Sequence, residues 1–156
     1  MKNQKITISV IGGHETNPEI DQLAYKIGEI IAKNGAILIC GGLEGVMESA
    51  AKGAKAAGGT TIGILPGKEK EDANPYIDIA LPTSMGLARN SIVACAADII
   101  IALPGSHGTA SEISYGLIFG RPVIDLGNWN IKGMIKVRDI SQAEEKIKEY
   151  VRKLKR

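Results

Sequence analysis

The stretch Pro104-Gly105-Ser106-His107-Gly108-Thr109-Ala110-Ser111-Glu112 carries the residue types of an anion site. It follows Ala97-Asp98 and then the run Ile99 to Leu103, whose continuous apolar character reads as a strand buried on both faces. An amphipathic segment, Ile113 to Phe119, comes after it. Strand, Gly-rich loop and helix start then gather unpaired amides and the positive end of a helix dipole at one point. A phosphate is stabilised there, held by Gly105, Ser106, His107, Gly108 and Thr109. The same residues admit another role. Thr109-x-x-Glu112 fits a capping box, in which each side chain satisfies the other residue's amide.

Repetition favours the anion. Gly12-Gly13 follows an apolar run, Ile6 to Ile11, and Gly41-Gly42-x-x-Gly45 follows another, Ala36 to Cys40. Glycine lets the backbone take positive φ or lets a ligand approach it. Three such loops at one sheet edge point to a small phosphorylated, nucleotide-like ligand. The dinucleotide fingerprint Gly-x-Gly-x-x-Gly is absent after the first strand, and no Gly-Lys-Ser or Gly-Lys-Thr phosphate loop occurs. Cofactor-dependent redox chemistry and phosphoryl transfer from ATP are therefore not expected, and no cofactor is required.

Arg89 lies in the first turns of the helix expected after the fourth strand, where a cation opposes the dipole. It reads either as a surface arginine paired with Glu112 or as a guanidinium forked onto the same anion. His14 and His107, the only histidines, both fall in Gly-rich loops. Either could bond a ligand or face solvent. No carboxylate or cysteine stands at metal-ligand spacing from them, so no metal is expected.

The elements that must position these loops alternate along the chain. Strands are expected at Ile6–Ile11, Ala36–Cys40, Thr60–Leu65, Tyr76–Leu81, Ala97–Leu103 and Val123–Leu126, with a possible edge strand at Met134–Val137. Helices are expected over Pro18–Asn34, Val46–Ala57, Met85–Ala96, the segment after Thr109, and a final helix capped by Ser141-x-x-Glu144. The alanine-lined second helix would approach a neighbouring backbone closely. Gly67 to Pro75 reads as a charged surface loop. The fold class is α/β: one domain over residues 1–156, a Rossmann-like parallel sheet of six or seven strands with helices on both faces. Right-handed crossovers bring the post-strand loops to one edge, and ligands bind where strand order reverses.

Composition bounds the rest. A chain of 156 residues, 44% hydrophobic, fits one domain with a sizeable core. A net charge of +2 is too small to argue for nucleic acid. The basic surplus falls in the last helix (Lys146, Lys148, Arg152, Lys153, Lys155, Arg156) and suits a solvated C-terminal end. Cys40 and Cys95 read as two buried free thiols in a reducing compartment. No signal peptide or membrane-length apolar run is evident. A cytoplasmic protein is expected, without membrane contact.

Residues 104–112 resemble the Pro-Gly-Gly-x-Gly-Thr-x-x-Glu motif of the Lonely-guy superfamily, and Gly41-Gly42-x-x-Gly45-Val46-Met47 resembles its upstream glycine motif. Arg89 stands at the family arginine's distance before Ala97-Asp98. The resemblance covers nearly the whole chain. It implies one of two functions. One branch hydrolyses nucleoside 5′-monophosphates to free base and ribose 5-phosphate, with the residues matching Arg89 and Glu112 catalytic and the Gly-Thr loop on the phosphate. A shorter-chain branch resembles molybdenum cofactor carrier proteins and binds a pterin phosphate. Ser106 in place of the second motif glycine, and Met-Gly-Leu-Ala-Arg-Asn in place of Met-His-x-Arg-Lys, lean toward the carrier-like branch. The resemblance also implies a homodimer or homotetramer. Members are often labelled lysine decarboxylases, but no lysine lies where these loops would place a pyridoxal phosphate.

Overall fold

β-Branched and apolar runs, most of them ended by glycine or proline, form strands in the computed structural model, which describes residues 3–155. The elements are β1 (Thr7–Ile11), α1 (Pro18–Lys33), β2 (Ile37–Cys40), α2 (Val46–Ala56), β3 (Thr61–Leu65), β4 (Ile79–Pro82), α3 (Asn90–Cys95), β5 (Ile99–Ala102), α4 (His107–Ile118), β6 (Val123–Asp125), β7 (Ile135–Lys136) and α5 (Ile140–Leu154). All seven strands pair parallel in the order β4-β3-β2-β1-β5-β6-β7, so the strand order reverses between β1 and β5. The expected α/β class and parallel sheet are what the chain adopts.

The alternation of side chains along each strand splits the core into two layers. Ile8, Val10, Leu38, Cys40, Ile99 and Ile101 face α1, α2 and α5. Ile11, Ile39, Ile64, Ile100 and Ala102 face α3 and α4. Every one of these is buried, as parallel strands between helices require. Helices α1 and α2 meet backbone to backbone. A Cβ on Gly28 would overlap the carbonyl oxygen of Ala50, and one on Gly53 that of Tyr25.

Five local expectations are corrected. α4 starts at His107 with Ser106 as its N-cap, so Thr109 lies inside the first turn and the Thr109–Glu112 capping box does not form. The cap of α5 is Asp139, which accepts the amide of Gln142, two residues before the expected serine. The segment expected as one helix from Met85 begins as a 3-10 turn, Gly86–Arg89, because Ser84 and Gly86 hold positive φ (55° and 58°) that an α-helix does not allow. β4 starts three residues late, since the side chains of Asn74 and Asp78 turn the preceding segment, Asn74 accepting the amide of Tyr76 and Asp78 that of Thr61. Cys95 is exposed, and only Cys40 is a buried thiol. Arg156 of the basic C-terminal run lies outside the described residues. Among the described residues no helix is long and apolar enough to cross a membrane.

Candidate functional site

The carboxyl ends of β1, β2 and β5, together with the start of α4 and the turn before α3, enclose a cavity of about 290 Å³. It lies beside the reversal point, where the two central strands part and leave room above their ends. Of the sequence-derived residues, Gly12, Gly13, Gly41, Arg89, Ser106, Gly108, Thr109 and Glu112 line it, with His14 at its mouth. Gly42, Gly45, Gly105 and His107 are not among its lining residues.

Packing explains most of the glycines. Gly45 has φ +73°, and a Cβ there would collide with the Gly13 carbonyl. That carbonyl accepts the amide of Val46 at 3.0 Å, which seats the N-terminus of α2. A Cβ on Gly105 would lie 2.8 Å from the amide nitrogen of Gly13, while that amide donates to Pro104 O at 2.9 Å. The loops after β1, β2 and β5 are thus stapled to one another. Gly108 is different. The nearest atom to a Cβ there is Asn90 Nδ2 at 3.7 Å, so its missing side chain is open cavity.

The start of α4 supplies donors. The amides of Gly105 through Thr109 have no acceptor among the described residues, and the Ser106 side chain caps none of them. Such amides are the orphan donors of a helix N-terminus.

Arg89 is buried, with 7% of its surface exposed. The turn that carries it is fixed by Ser84 N to Gly67 O and Gly86 N to Pro66 O, both 2.9 Å. Its Nε donates to Ile64 O at 2.9 Å, Nη2 to Gly41 O at 3.4 Å, and Nη1 to Asn90 Oδ1. The Asn90 amide continues the chain to Ser111 Oγ (3.2 Å) and Gly108 O (3.4 Å). The surface ion pair is therefore not the arrangement found. Arg89 bolts the ends of β2 and β3 to α4, and two of its five N–H groups have no acceptor among the described residues.

Glu112 also has 7% of its surface exposed, lines the cavity, and makes no hydrogen bond or ion pair among the described residues. Burial pushes its carboxyl up to about 8, and the charge of Arg89 offsets that only in part. Burial lowers Arg89 as well, opposed first by Glu112 and then by Cys40, but a guanidinium stays charged at neutral pH. Beneath them the fully buried Cys40 thiol is pushed up to about 12, chiefly by desolvation, and is neutral.

Sequence reasoning missed Asn90, the hinge of this network. An asparagine at a helix start is ordinary and carries no signal. It missed Leu87 and Met47 on the cavity wall for the same reason. It also missed Asp125, whose buried carboxylate takes the amides of Gly127, Trp129 and Asn130 and folds that loop so that Trp129 Nε1 reaches Leu103 O at 2.9 Å. His14 is exposed, with Nε2 3.9 Å from Glu15. Among the described residues no group of three or more His, Cys, Asp or Glu side chains is arranged to hold a metal ion.

Residues 5–154 match the model of the SLOG cluster4 family. The molybdenum cofactor binding protein of the phototrophic bacterium Rippkaea orientalis is similar in structure, with TM-score 0.89 and 35% identity over 96% of this chain and 99% of that one. The molybdenum cofactor carrier protein of Chlamydomonas reinhardtii superposes with TM-score 0.86 and 33% identity over 95% and 99%. A cytokinin riboside 5′-monophosphate phosphoribohydrolase of Mycobacterium tuberculosis is 34% identical over 101 residues, 63% of this chain. The match spans only 54% of that enzyme.

Proposed function

The chain belongs to the SLOG cluster4 family, and from that premise we propose that it is a carrier-like member of the Lonely-guy superfamily that binds a phosphorylated, nucleotide- or pterin-like ligand. The observation that carries this is the acceptor-free amides at the start of α4, whose Ser106, Gly108 and Thr109 line a cavity with a buried arginine. Those amides and the α4 dipole suit a terminal phosphate. The two free N–H groups of Arg89 add charge-assisted bonds. The molybdenum cofactor named for the two structural neighbours belongs to this ligand class.

The rival reading is a phosphoribohydrolase, favoured by Arg89 and Glu112 sharing one cavity. Cleaving an N-glycosidic bond develops positive charge on the ribose, which an ionised carboxylate stabilises. Burial pushes the Glu112 carboxyl up to about 8, which works against the ionised form that this role needs. Binding without turnover is therefore expected. Incubation with adenosine, guanosine, cytidine and uridine 5′-monophosphates should give calorimetric binding of at least one and no free base by chromatography. Sustained release of base would replace this reading by the hydrolase.

Gly108 tests where the ligand sits. Gly108→Ala adds a Cβ whose nearest neighbour is Asn90 Nδ2 at 3.7 Å, so its melting temperature should stay within a few degrees of wild type. Its side chain would displace an anion from the α4 amides. Losing even one charge-assisted contact costs about 1.5–3 kcal/mol, so nucleotide affinity should fall at least about tenfold by calorimetry. Unchanged affinity would put the phosphate elsewhere.

A further inference from the structure

Glu112 is a buried acid that makes no hydrogen bond or ion pair among the described residues, and it lines the same cavity as Ser106, Gly108 and Thr109. An ionised carboxylate there would repel an anion across a cavity of about 290 Å³. A neutral carboxyl would donate its proton to an acceptor atom of the ligand and leave its other oxygen to receive from one. We propose that Glu112 enters the complex as a neutral acid that donates a hydrogen bond to the anionic ligand, so that anion binding and protonation of Glu112 are coupled one to one.

The surroundings favour this. The groups facing Glu112 are few. From the turn before α3 comes the Arg89 guanidinium, whose Nε, Nη1 and Nη2 bond Ile64 O, Asn90 Oδ1 and Gly41 O rather than the carboxylate. From β2 comes the neutral Cys40 thiol. The loops after β1 and β2 bring His14 and Glu44 to the cavity lining, both exposed. On α4 itself the neighbouring polar groups are uncharged: Thr109, and Ser111, whose hydroxyl is spent on Gly108 O at 2.6 Å. Nothing here fixes a carboxylate in place, whereas the desolvated site keeps the proton on Glu112 up to about pH 8. An anion drawn in by the amides raises that affinity for the proton further, since the two negative charges would share one cavity.

This inference rests on the anion-site reading, so the probe must separate the two. Inorganic sulfate suits it, because sulfate stays a dianion throughout the range tested and the protein's own proton is the one counted. With wild type, the sulfate dissociation constant should be level between pH 6 and 7 and rise about tenfold between pH 7 and pH 9, as one-proton linkage dictates. Calorimetry at pH 9 in two buffers of different ionisation enthalpy should show close to one proton taken up per sulfate. Glu112→Gln, which stays neutral at every pH, should show neither the rise in its sulfate dissociation constant between pH 7 and pH 9 nor the uptake. A wild-type constant flat from pH 7 to 9 with no proton uptake would overturn the coupling alone. The same slope in Glu112→Gln would assign the proton to another group and overturn it too. Absence of sulfate binding at every pH would overturn the anion site itself, and the coupling with it.

Discussion

Glu112→Gln should make the unliganded protein more stable at pH 7 by on the order of 3 kcal/mol. Glutamine keeps the shape and removes the ionisable group. In the unfolded chain the glutamate titrates at its model value of 4.5, and in the folded protein it is pushed up to about 8. Between those two values the native state holds a proton that the unfolded state has released. Raising the pH therefore favours unfolding. The stability difference between the two proteins should be near zero at pH 4, grow through pH 5 to 8, and level off above. For a domain of this size each kcal/mol moves the melting temperature by roughly 2–4 °C, so the variant should melt roughly 6–12 °C higher at pH 7. Urea unfolding at pH 4.5, 7 and 8.5 reads the trend directly. Equal stability of the two proteins at all three values would mean that Glu112 is not desolvated. A gain in stability on neutralising a cavity residue is what a site held ready for a ligand produces.

The second large effect lies far from the cavity. Gly53→Ala should destabilise the fold by about 2–3 kcal/mol or more, although alanine is the better helix former by up to about 1 kcal/mol. The added methyl would overlap the carbonyl of Tyr25, a backbone atom of α1 that no side-chain rotation can move. Relief requires α1 and α2 to separate, and that opens the layer made by Ala24, Ile27, Ala50 and Ala54. Denaturant unfolding should show a lower midpoint, with secondary structure by circular dichroism retained below it. A midpoint at or above that of wild type would show that the two helices are not in backbone contact.

The layered fold was legible because most strands are short apolar runs rich in β-branched residues and ended by glycine or proline, and such runs leave few alternatives. Ile99-Ile100-Ile101 belongs to the central strand β5 on any register. The close approach of α2 was legible in its alanines and glycines. The start of α4 was not. Thr109 and Glu112 stand at capping-box spacing, but the chain had already turned helical at His107, where Gly105 closes against Gly13 and Thr109. A local pairing rule lost there to a contact between segments about 90 residues apart. Arg89 and Glu112 were legible as candidates through their types and the motif resemblance. That the arginine is spent on backbone carbonyls and Asn90, leaving the acid alone, depends on how β3, the turn before α3 and α4 are stacked. No spacing in the chain encodes that. The three glycine loops were read alike, yet Gly13, Gly45 and Gly105 are crowded by one another's loops and Gly12, Gly41 and Gly42 by the side chains of Val46, Arg89 and Leu65, while Gly108 alone among them faces open space.

The position of β1 beside β5 carries a consequence for how the chain reaches this structure. Ile8 pairs with Ile99, and only the first of the two is available until the intervening segments have been synthesised. The segment from β1 to β4 can assemble by short crossovers in sequence order, each strand docking beside its predecessor. That half-sheet exposes the free edge of β1, a row of unpaired amides and carbonyls on an apolar strand, and such an edge invites pairing with other chains. Closure by β5 joins residues 91 apart, a long loop whose entropy must be spent before its contacts form. The slow step of folding and the window for aggregation are then one event, the arrival of β5. Thr7 gives that arrival an early foothold: its amide and hydroxyl both bond the carboxylate of Asp98, the residue immediately before β5. A chain stalled before Asp98 would present a sticky half-sheet, and a chain past Leu103 would have its centre shut.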